Sequence, residues 1–237
     1  MLENIRVVLV NPSHPGNIGA VARAIKNMGL SRLYLVAPEK FPHPEATFRA
    51  VGADDILKSA VVTDNLGQAL ADCHLVYGTS ARTRHLGWPL CGARECAQQI
   101  VALGPQQQVA VVFGRESSGL TNQELAYCNY HVHIPTAPDF SSINLAAAVQ
   151  ICAYEIYMAH QPQSGKMDSE QELPATNEQI LGFYTHLEST LINIGFLNPH
   201  HPKKLMQRIK RLFSRAQIDH TEINILRGVL TAIDKML

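Results

Sequence analysis

Val111–Leu120, VVFGRESSGL, is the stretch of the sequence that decides the fold. It begins as an apolar strand and then turns, within a few residues, to Gly114, the adjacent charges Arg115 and Glu116, two serines and Gly119. In parallel sheets, ligands bind at the carboxyl ends of the strands. A core strand that runs directly into glycine and charge therefore predicts a polar loop at such an end.

Apolar runs alternate with helical patterns on both sides of this stretch. They predict strands over residues 5–10, 32–36, 73–81, 108–114 and 130–136, the third of them breaking at Gly78. They predict helices over residues 19–29, 66–72, 121–128 and 142–159, the third with a capping box of Thr121 and Glu124. Alternating strands and helices form a mainly parallel sheet with helices on both faces. We therefore predict an α/β fold.

The composition is that of a globular protein. The 237 residues are 46% hydrophobic, and 20 Lys and Arg balance 20 Asp and Glu, so the net charge gives no sign of a polyanionic partner. No apolar run approaches the roughly 20 residues of a membrane span, and the start MLENIRVVLVNP does not have the pattern of a secretory signal. Five cysteines without CxxC spacing predict free thiols, no zinc site and a cytoplasmic location.

The chain changes character after residue 160. Residues 161–177 have few apolar side chains, which predicts a flexible linker between a first domain, 1–160, and a helical extension, 178–237. In the extension, one apolar helix face is predicted from Ile180, Phe183, Tyr184, Leu187, Leu191 and Ile194, and a last amphipathic helix over 222–236.

Residues 203–215 of the extension are basic. Leu205, Ile209 and Leu212 are expected to face the core. The segment has no acid and six cations, which are Lys203, Lys204, Arg208, Lys210, Arg211 and Arg215. These cations either bind RNA phosphates or form an ordinary solvated helix face.

Asn17, Gly19 and Arg23, in NIGAVARA, stand near the start of a predicted helix. Unpaired N–H groups at a helix start favour an anion, so Arg23 is a candidate for a phosphate contact. The alternative is a surface arginine beside a tight turn.

Gly114, in GRESSGL, allows a close approach of the backbone to a ligand, or an unusual φ. The alternative is an ordinary exit from a strand. The stretch is neither GxGxxG nor a Walker loop, which disfavours a dinucleotide or nucleoside triphosphate site.

Ser141 and Ser142, in DFSSINLAAAVQ, are predicted to cap a helix, with Asn144 in its first turn. The alanines that follow, 146–148, allow another backbone to come close. The segment is either a tightly packed helix or one wall of a slot for a flat ligand.

Taken together and in this order, the three stretches resemble the SPOUT superfamily of RNA methyltransferases, in its SpoU branch, which methylates ribose 2′-hydroxyls. The residues that carry the resemblance are Asn17, Gly19 and Arg23, then Gly114, Glu116, Gly119 and Leu120, then Ser142, Asn144 and Leu145. TSAR (79–82), HVHIP (131–135) and the C-terminal FYTHLESTLINIGF, LFSRA and EINILRG are similar to the subgroup that methylates cytidine or uridine at nucleotide 32 of the tRNA anticodon loop.

The resemblance implies a trefoil knot at the C-terminal end of the α/β domain, whose loops bind a bent S-adenosyl-L-methionine and release S-adenosyl-L-homocysteine. The implied cofactor-binding residues are Thr79, Ser80, Ala81, Gly114, Ile134, Ser141, Ser142, Ile143 and Leu145. In this interpretation Gly114 lets the cofactor lie against backbone.

The resemblance also implies the catalytic group, which is Arg23, Asn17, Glu116, Ser142 and Asn144. Arg115 and Glu116 would organise the loop, and Arg82, Arg84 and Arg115 would contact tRNA together with the six cations of the extension. For Arg82 and Arg84, simple salt bridges within the loop are an equal alternative. A homodimer is implied in which Arg23 of one chain serves the cofactor of the other.

The implied reaction moves a methyl group from a sulfonium to a ribose hydroxyl and needs no metal, because the donor is already activated. A guanidinium has a pKa above 12, so Arg23 is expected to hold the substrate phosphate and stabilise the alkoxide rather than act as a base. The phosphate could accept the proton, and Ser142 and Asn144 could orient the hydroxyl.

Three other functions remain open from the sequence. The first is a SpoU enzyme that acts on ribosomal RNA or on another tRNA position. The second is an RNA-binding module without activity. The third is a nucleotide-dependent oxidoreductase, which the absence of GxGxxG disfavours.

Overall fold

Seven strands form the sheet that the structure, a computed structural model, describes within residues 2–80, 89–161 and 174–237. The strands are β1 (Ile5–Val10), β2 (Arg32–Val36), β3 (Val61–Thr63), β4 (Leu75–Thr79), β5 (Leu90–Gly92), β6 (Val109–Phe113) and β7 (Tyr130–His133). Their order is β3-β2-β1-β6-β4-β7-β5, and every neighbouring pair is parallel. The predicted parallel sheet is confirmed. The knot that the resemblance implies stays a prediction.

The helices are α1 (Pro15–Asn27), α2 (Pro44–Ala50), α3 (Asp54–Lys58), α4 (Leu66–Leu70), α5 (Ala93–Ala102), α6 (Asn122–Leu125), α7 (Leu145–His160), α8 (Asn177–Asn193), α9 (Leu205–Ala216) and α10 (His220–Asp234). Strand β1 shows why both faces of the sheet are covered. Its residues Val7 and Leu9 enter one apolar core, whereas Val8 and Val10 enter the other. No described helix is long and apolar enough to cross a bilayer.

Some predicted boundaries are wrong. Helix α1 begins at Pro15 rather than residue 19, because proline is preorganised for a first turn and the His14 side chain accepts a hydrogen bond from Gly16. Strand β4 continues through Gly78, which is needed because a Cβ there would lie 2.6 Å from the Cys128 sulfur. The capping box of Thr121 and Glu124 is confirmed.

Gly19 is a contact between helices rather than part of a turn. A Cβ at this position would lie 2.0 Å from the carbonyl oxygen of Ala46 in α2. Real side chains do not tolerate such a distance, so only glycine lets α1 and α2 cross this closely. The contact fixes the position of α2, an element that the sequence patterns miss because it has only seven residues.

The extension packs around its own core and also docks onto the sheet domain. Phe183, Tyr184 and Ile223 are buried in that core, whereas Ile194, predicted to face it, is 44% exposed. Near the end of the predicted linker, Ala175 is fully buried, and its amide donates to the Ile218 carbonyl at 2.8 Å. Residues 162–173 lie outside the described part of the chain.

Candidate active site

A cavity of about 230 Å³ lies at the carboxyl ends of β4, β6 and β7. Its lining combines apolar side chains with hydroxyl groups. The apolar residues are Phe113, Leu120, Val132, Ile134, Ile143, Leu145 and Ala148, and the hydroxyl residues are Thr79, Ser80, Ser117, Ser118, Ser141 and Ser142. Such a mixture suits a ligand with one flat apolar part and several hydrogen-bonding groups.

Most predicted cofactor residues line this one cavity. They are Thr79, Ser80, Gly114, Ile134, Ser141, Ser142, Ile143 and Leu145. Ala81 lies outside the described residues. The predicted cofactor set omits Ser117, Ser118 and Gly119 of the GRESSG stretch and the apolar residues Phe113, Leu120, Val132 and Ala148. Among the described residues, no cluster of three His, Cys, Asp or Glu could hold a metal ion.

Gly114 packs against the backbone of its own loop, and its expected contact with a cofactor stays a prediction. A Cβ at Gly114 would lie 2.1 Å from the carbonyl carbon of Gly119 and 2.3 Å from the Leu120 nitrogen. The loop after β6 therefore folds back onto Gly114, and Arg115 and Gly119 exchange two backbone hydrogen bonds of 3.2 and 2.9 Å. Gly119 supplies the left-handed turn, with φ +69°. Gly114 allows the loop to close, and the closed loop shapes the cavity.

Arg115 is fixed by the same loop. Its guanidinium donates two hydrogen bonds of 3.0 Å to the Glu124 carboxylate and one to the Asn11 side chain. Glu124 in turn caps α6, accepting from the Thr121 amide at 2.7 Å. This arrangement supports the expected role of Arg115 in organising the loop. Its predicted contact with RNA stays a prediction.

Glu116 joins this loop to the start of α1. One carboxylate oxygen accepts from the Asn17 side chain at 3.1 Å and from the His14 amide at 3.3 Å. The other accepts from the Ser13 amide at 3.2 Å and the Ser13 hydroxyl at 3.0 Å. Partial burial opposes ionisation, but the hydrogen bonds outweigh it and hold the pKa of Glu116 below its ordinary value. An ionised carboxylate with this many donors positions the loop and is a poor proton acceptor.

Asn144 extends the network to the third motif. Its side-chain oxygen accepts from the amides of Ala146 and Ala147, at 3.0 and 3.3 Å, so Asn144 caps α7. The prediction that Ser141 and Ser142 form this cap is wrong, since both precede the helix as exposed residues of the cavity lining. The Asn144 amide donates to the Asn17 side chain at 3.2 Å. Glu116, Asn17 and Asn144 thus tie the three motifs together.

Arg23 lies apart from this cavity. It is an exposed residue of α1, six residues beyond Asn17, and does not line the cavity of its own chain. At about 1.5 Å per residue, this separation is about 9 Å along the helix. Within one chain, the structure therefore does not bring Arg23 together with the other predicted catalytic residues.

The predicted cations of the extension divide into two groups. Lys203, Lys204, Arg208 and Arg215 are exposed. Lys210 and Arg211 are half-buried, and the Lys210 amino group lies 5.6 Å from the centre of the Tyr184 ring. Leu212, expected to face the core, is 54% exposed, while Phe213 packs there instead. Arg82 and Arg84 lie outside the described residues.

Comparison with known families finds two matches along the chain. Residues 4–154 match the SpoU rRNA Methylase family. Residues 178–237 match the C-terminal domain of the tRNA methyltransferase TrmJ.

Similar proteins cover the whole chain. The tRNA (cytidine/uridine/adenosine-2′-O-)-methyltransferase TrmJ of Pseudomonas aeruginosa (strain UCBPP-PA14) is 52% identical over 100% of this chain and 96% of its own. The crystal structure of TrmJ from Z. mobilis ZM4 is 34% identical with a TM-score of 0.85, covering 97% of this chain and 98% of that one.

A more distant structure holds a ligand. The SpoU methyltransferase AviRb from Streptomyces viridochromogenes, solved in complex with the cofactor AdoMet, has a TM-score of 0.52 at 23% identity. The match covers 65% of this chain and 59% of that one, and it shows a shared fold.

Proposed function

The chain belongs to the SpoU rRNA Methylase family, and we propose that it methylates the ribose 2′-hydroxyl of cytidine or uridine at nucleotide 32 of tRNA. Similarity to TrmJ proteins over the full length supports tRNA as the substrate. The observation that carries the proposal is the network of Glu116, Asn17 and Asn144, which holds three motif loops beside one cavity. A tRNA substrate would place the protein in the cytoplasm.

The cavity fits S-adenosyl-L-methionine by its chemistry. Apolar residues such as Leu120 and Leu145 suit a flat adenine, and the hydroxyls of Ser141 and Ser142 suit the polar ribose and amino-acid parts. When bound, this cofactor supplies a methyl group that is already activated on a sulfonium. The protein then has to align the acceptor hydroxyl and stabilise the charge that develops on it.

The remaining hydrogen-bonding capacity decides which residues can touch the substrate. Glu116 and Asn17 already bond to each other, and the side-chain oxygen of Asn144 caps α7, so these three are positioning residues. Ser142 is exposed and lines the cavity, so its hydroxyl is available to orient the ribose. Arg23, also exposed, holds a substrate phosphate and stabilises the alkoxide.

A homodimer brings Arg23 to the cofactor of the partner chain. An exposed apolar stripe on α7 supports this, because Ile151, Tyr154 and Met158 are 37–47% exposed at helical spacing. Ala147, one turn before Ile151, is exposed too and lets a second backbone come close. An apolar surface of this kind is typical of an interface.

The activity is tested with the full-length protein, labelled S-adenosyl-L-methionine and tRNA that is unmodified at nucleotide 32. We expect one methyl group at the 2′-oxygen of that nucleotide, and none on the same tRNA with a 2′-deoxynucleotide there. Arg23→Ala should lower turnover by about 100-fold or more, while the Kd for the cofactor, from calorimetry, stays within about twofold. Methylation elsewhere, ribosomal RNA as the preferred substrate, or an equal loss of turnover and cofactor affinity would contradict the proposal.

The shared site is tested by complementation. Arg23→Ala lacks the arginine, and Ile143→Trp fills the cavity that Ile143 lines. Alone, Arg23→Ala should show only its residual turnover and Ile143→Trp should be inactive. Co-expressed, they should form mixed dimers that regain activity, because one site then has an intact cavity and an arginine from the other chain. A mixture that stays inactive while light scattering shows a dimer argues against an arginine supplied by the partner.

A further inference from the structure

The contact at Gly19 brings a second arginine next to Arg23. A Cβ at Gly19 would lie 3.0 Å from the Cβ of Arg49 in α2, in addition to its contact with Ala46. Arg23 follows Gly19 by four residues in α1, and residues four apart share a helix face with about 6 Å between them along the axis. Arg49 therefore lies beside α1 about one helical turn from Arg23, where α1 and α2 cross.

Both arginines are exposed, and neither side chain has a hydrogen bond or an ion pair within the described residues. Lys26, three residues after Arg23, binds Asp55 at 2.7 Å. Glu45 of α2 lies 3.8 Å from His14, a contact that is an ion pair only when the histidine is protonated. Two adjacent guanidinium groups without a carboxylate repel each other, and an anion that reaches both relieves that repulsion.

We propose that Arg49 binds the phosphate backbone of the substrate RNA together with Arg23. This inference rests on the proposed function. A guanidinium offers a planar fork of N–H donors that matches phosphate, and contacts with the backbone set the register of the strand without reading its sequence. Arg49 is then a positioning residue, because it fixes the strand on which Arg23 acts.

The test compares three variants of the full-length protein in tRNA binding between 50 and 200 mM KCl, a range in which phosphate contacts respond to salt. Arg49→Ala should weaken tRNA binding about ten- to hundredfold at low salt. It should also reduce, by about one, the slope of the logarithm of the binding constant against the logarithm of the salt concentration. Arg49→Lys should recover part of the affinity but less of the turnover, because an ammonium lacks the fork. Lys26→Ala is the matched control, since it removes a nearby charge that Asp55 already neutralises.

Cofactor affinity and melting temperature should be unchanged in Arg49→Ala, because the side chain is exposed. If Arg49→Ala binds tRNA like Lys26→Ala, the inference is wrong. It is also wrong if the main effect of Arg49→Ala is a change of mass in light scattering. In that case α2, where Phe48 is 77% exposed, contacts a protein surface. The activity of the unaltered protein separately decides the proposed function, so the two failures are distinguishable.

Discussion

Glu116 links the loop after β6 to the start of α1, and its ionisation matters because four donors face its two oxygens. The folded state holds the pKa of Glu116 below its ordinary value, whereas the unfolded chain has a pKa of about 4.3 there. A lowered pKa stabilises the fold at pH values above that of the unfolded chain. The contribution is lost as the pH falls through the lower, folded value.

Glu116→Gln should therefore lower the free energy of unfolding at pH 7 by about 1–2 kcal/mol. The difference from the unaltered protein should shrink below about pH 4, where the native carboxylate also becomes protonated. Urea unfolding of both proteins at pH 7 and at low pH measures this difference in the free energy of unfolding. Glu178→Gln, which removes an exposed carboxylate, is the control and should change the free energy of unfolding at pH 7 less than Glu116→Gln does. A gap that stays constant with pH would show that the charge of Glu116 does not stabilise the loop.

Helix packing requires glycine at position 19 but not at position 182. Gly19 faces a backbone carbonyl of α2, whereas a methyl group added to Gly182 in α8 would have nothing within 4 Å. The same replacement by alanine should therefore have opposite effects. At Gly19 it forces α1 and α2 apart, and at Gly182 it only improves helix propensity.

We expect Gly19→Ala to lower the free energy of unfolding by about 1–3 kcal/mol, and Gly182→Ala to raise it by about 0.5–1 kcal/mol. Thermal and urea unfolding of the two variants measure whether each substitution raises or lowers the free energy of unfolding. If Arg49 acts with Arg23, Gly19→Ala should also weaken tRNA binding, because α2 moves. Equal stability of both variants would mean that α1 and α2 do not cross as closely as described.

The two parts of the molecule are joined by the first turn of α8. The Asn177 amide donates to the Cys73 carbonyl at 2.7 Å, and its side chain donates to the Tyr127 carbonyl at 3.0 Å. The backbone amide of Glu178 also donates to the Ala71 carbonyl, at 3.3 Å. Asn177 is buried, so these bonds are shielded from water. The extension is therefore held in place next to the sheet and can present its cations in a fixed orientation.

Asn177→Asp should undock the extension, because it buries a carboxylate facing the Tyr127 carbonyl. We expect the free energy that holds the extension in place to fall by about 3 kcal/mol. Hydrogen exchange at the amides of residues 177 and 178 should become faster. Asn198→Asp makes the same chemical change at an exposed position and should leave exchange unaltered. Slow exchange in Asn177→Asp would show that the docking does not depend on this side chain.

The sequence predicted the parallel sheet and the cavity-lining segments because both depend on local patterns. Strands β1 and β2 match their predicted bounds, and every residue of β1 is buried. The sequence patterns missed α2 and α3, which are too short for a helical period to stand out. They also missed α5 and the three-residue strands β3 and β5. They assigned the cap of α7 to Ser141 and Ser142, because three nearby polar residues could serve and only the fold selects Asn144.

By itself, the sequence determined five of the seven described strands, the polar loops after them and the identity of the motif residues, because these follow from periodicity and residue chemistry. Only the tertiary structure decided what those residues touch. It turned Gly19 and Gly114 into backbone contacts, made Glu116 the acceptor that joins two loops, and put Arg49 beside Arg23. Such contacts join residues far apart in the chain, and their distances depend on how the helices and loops pack, which no local pattern records.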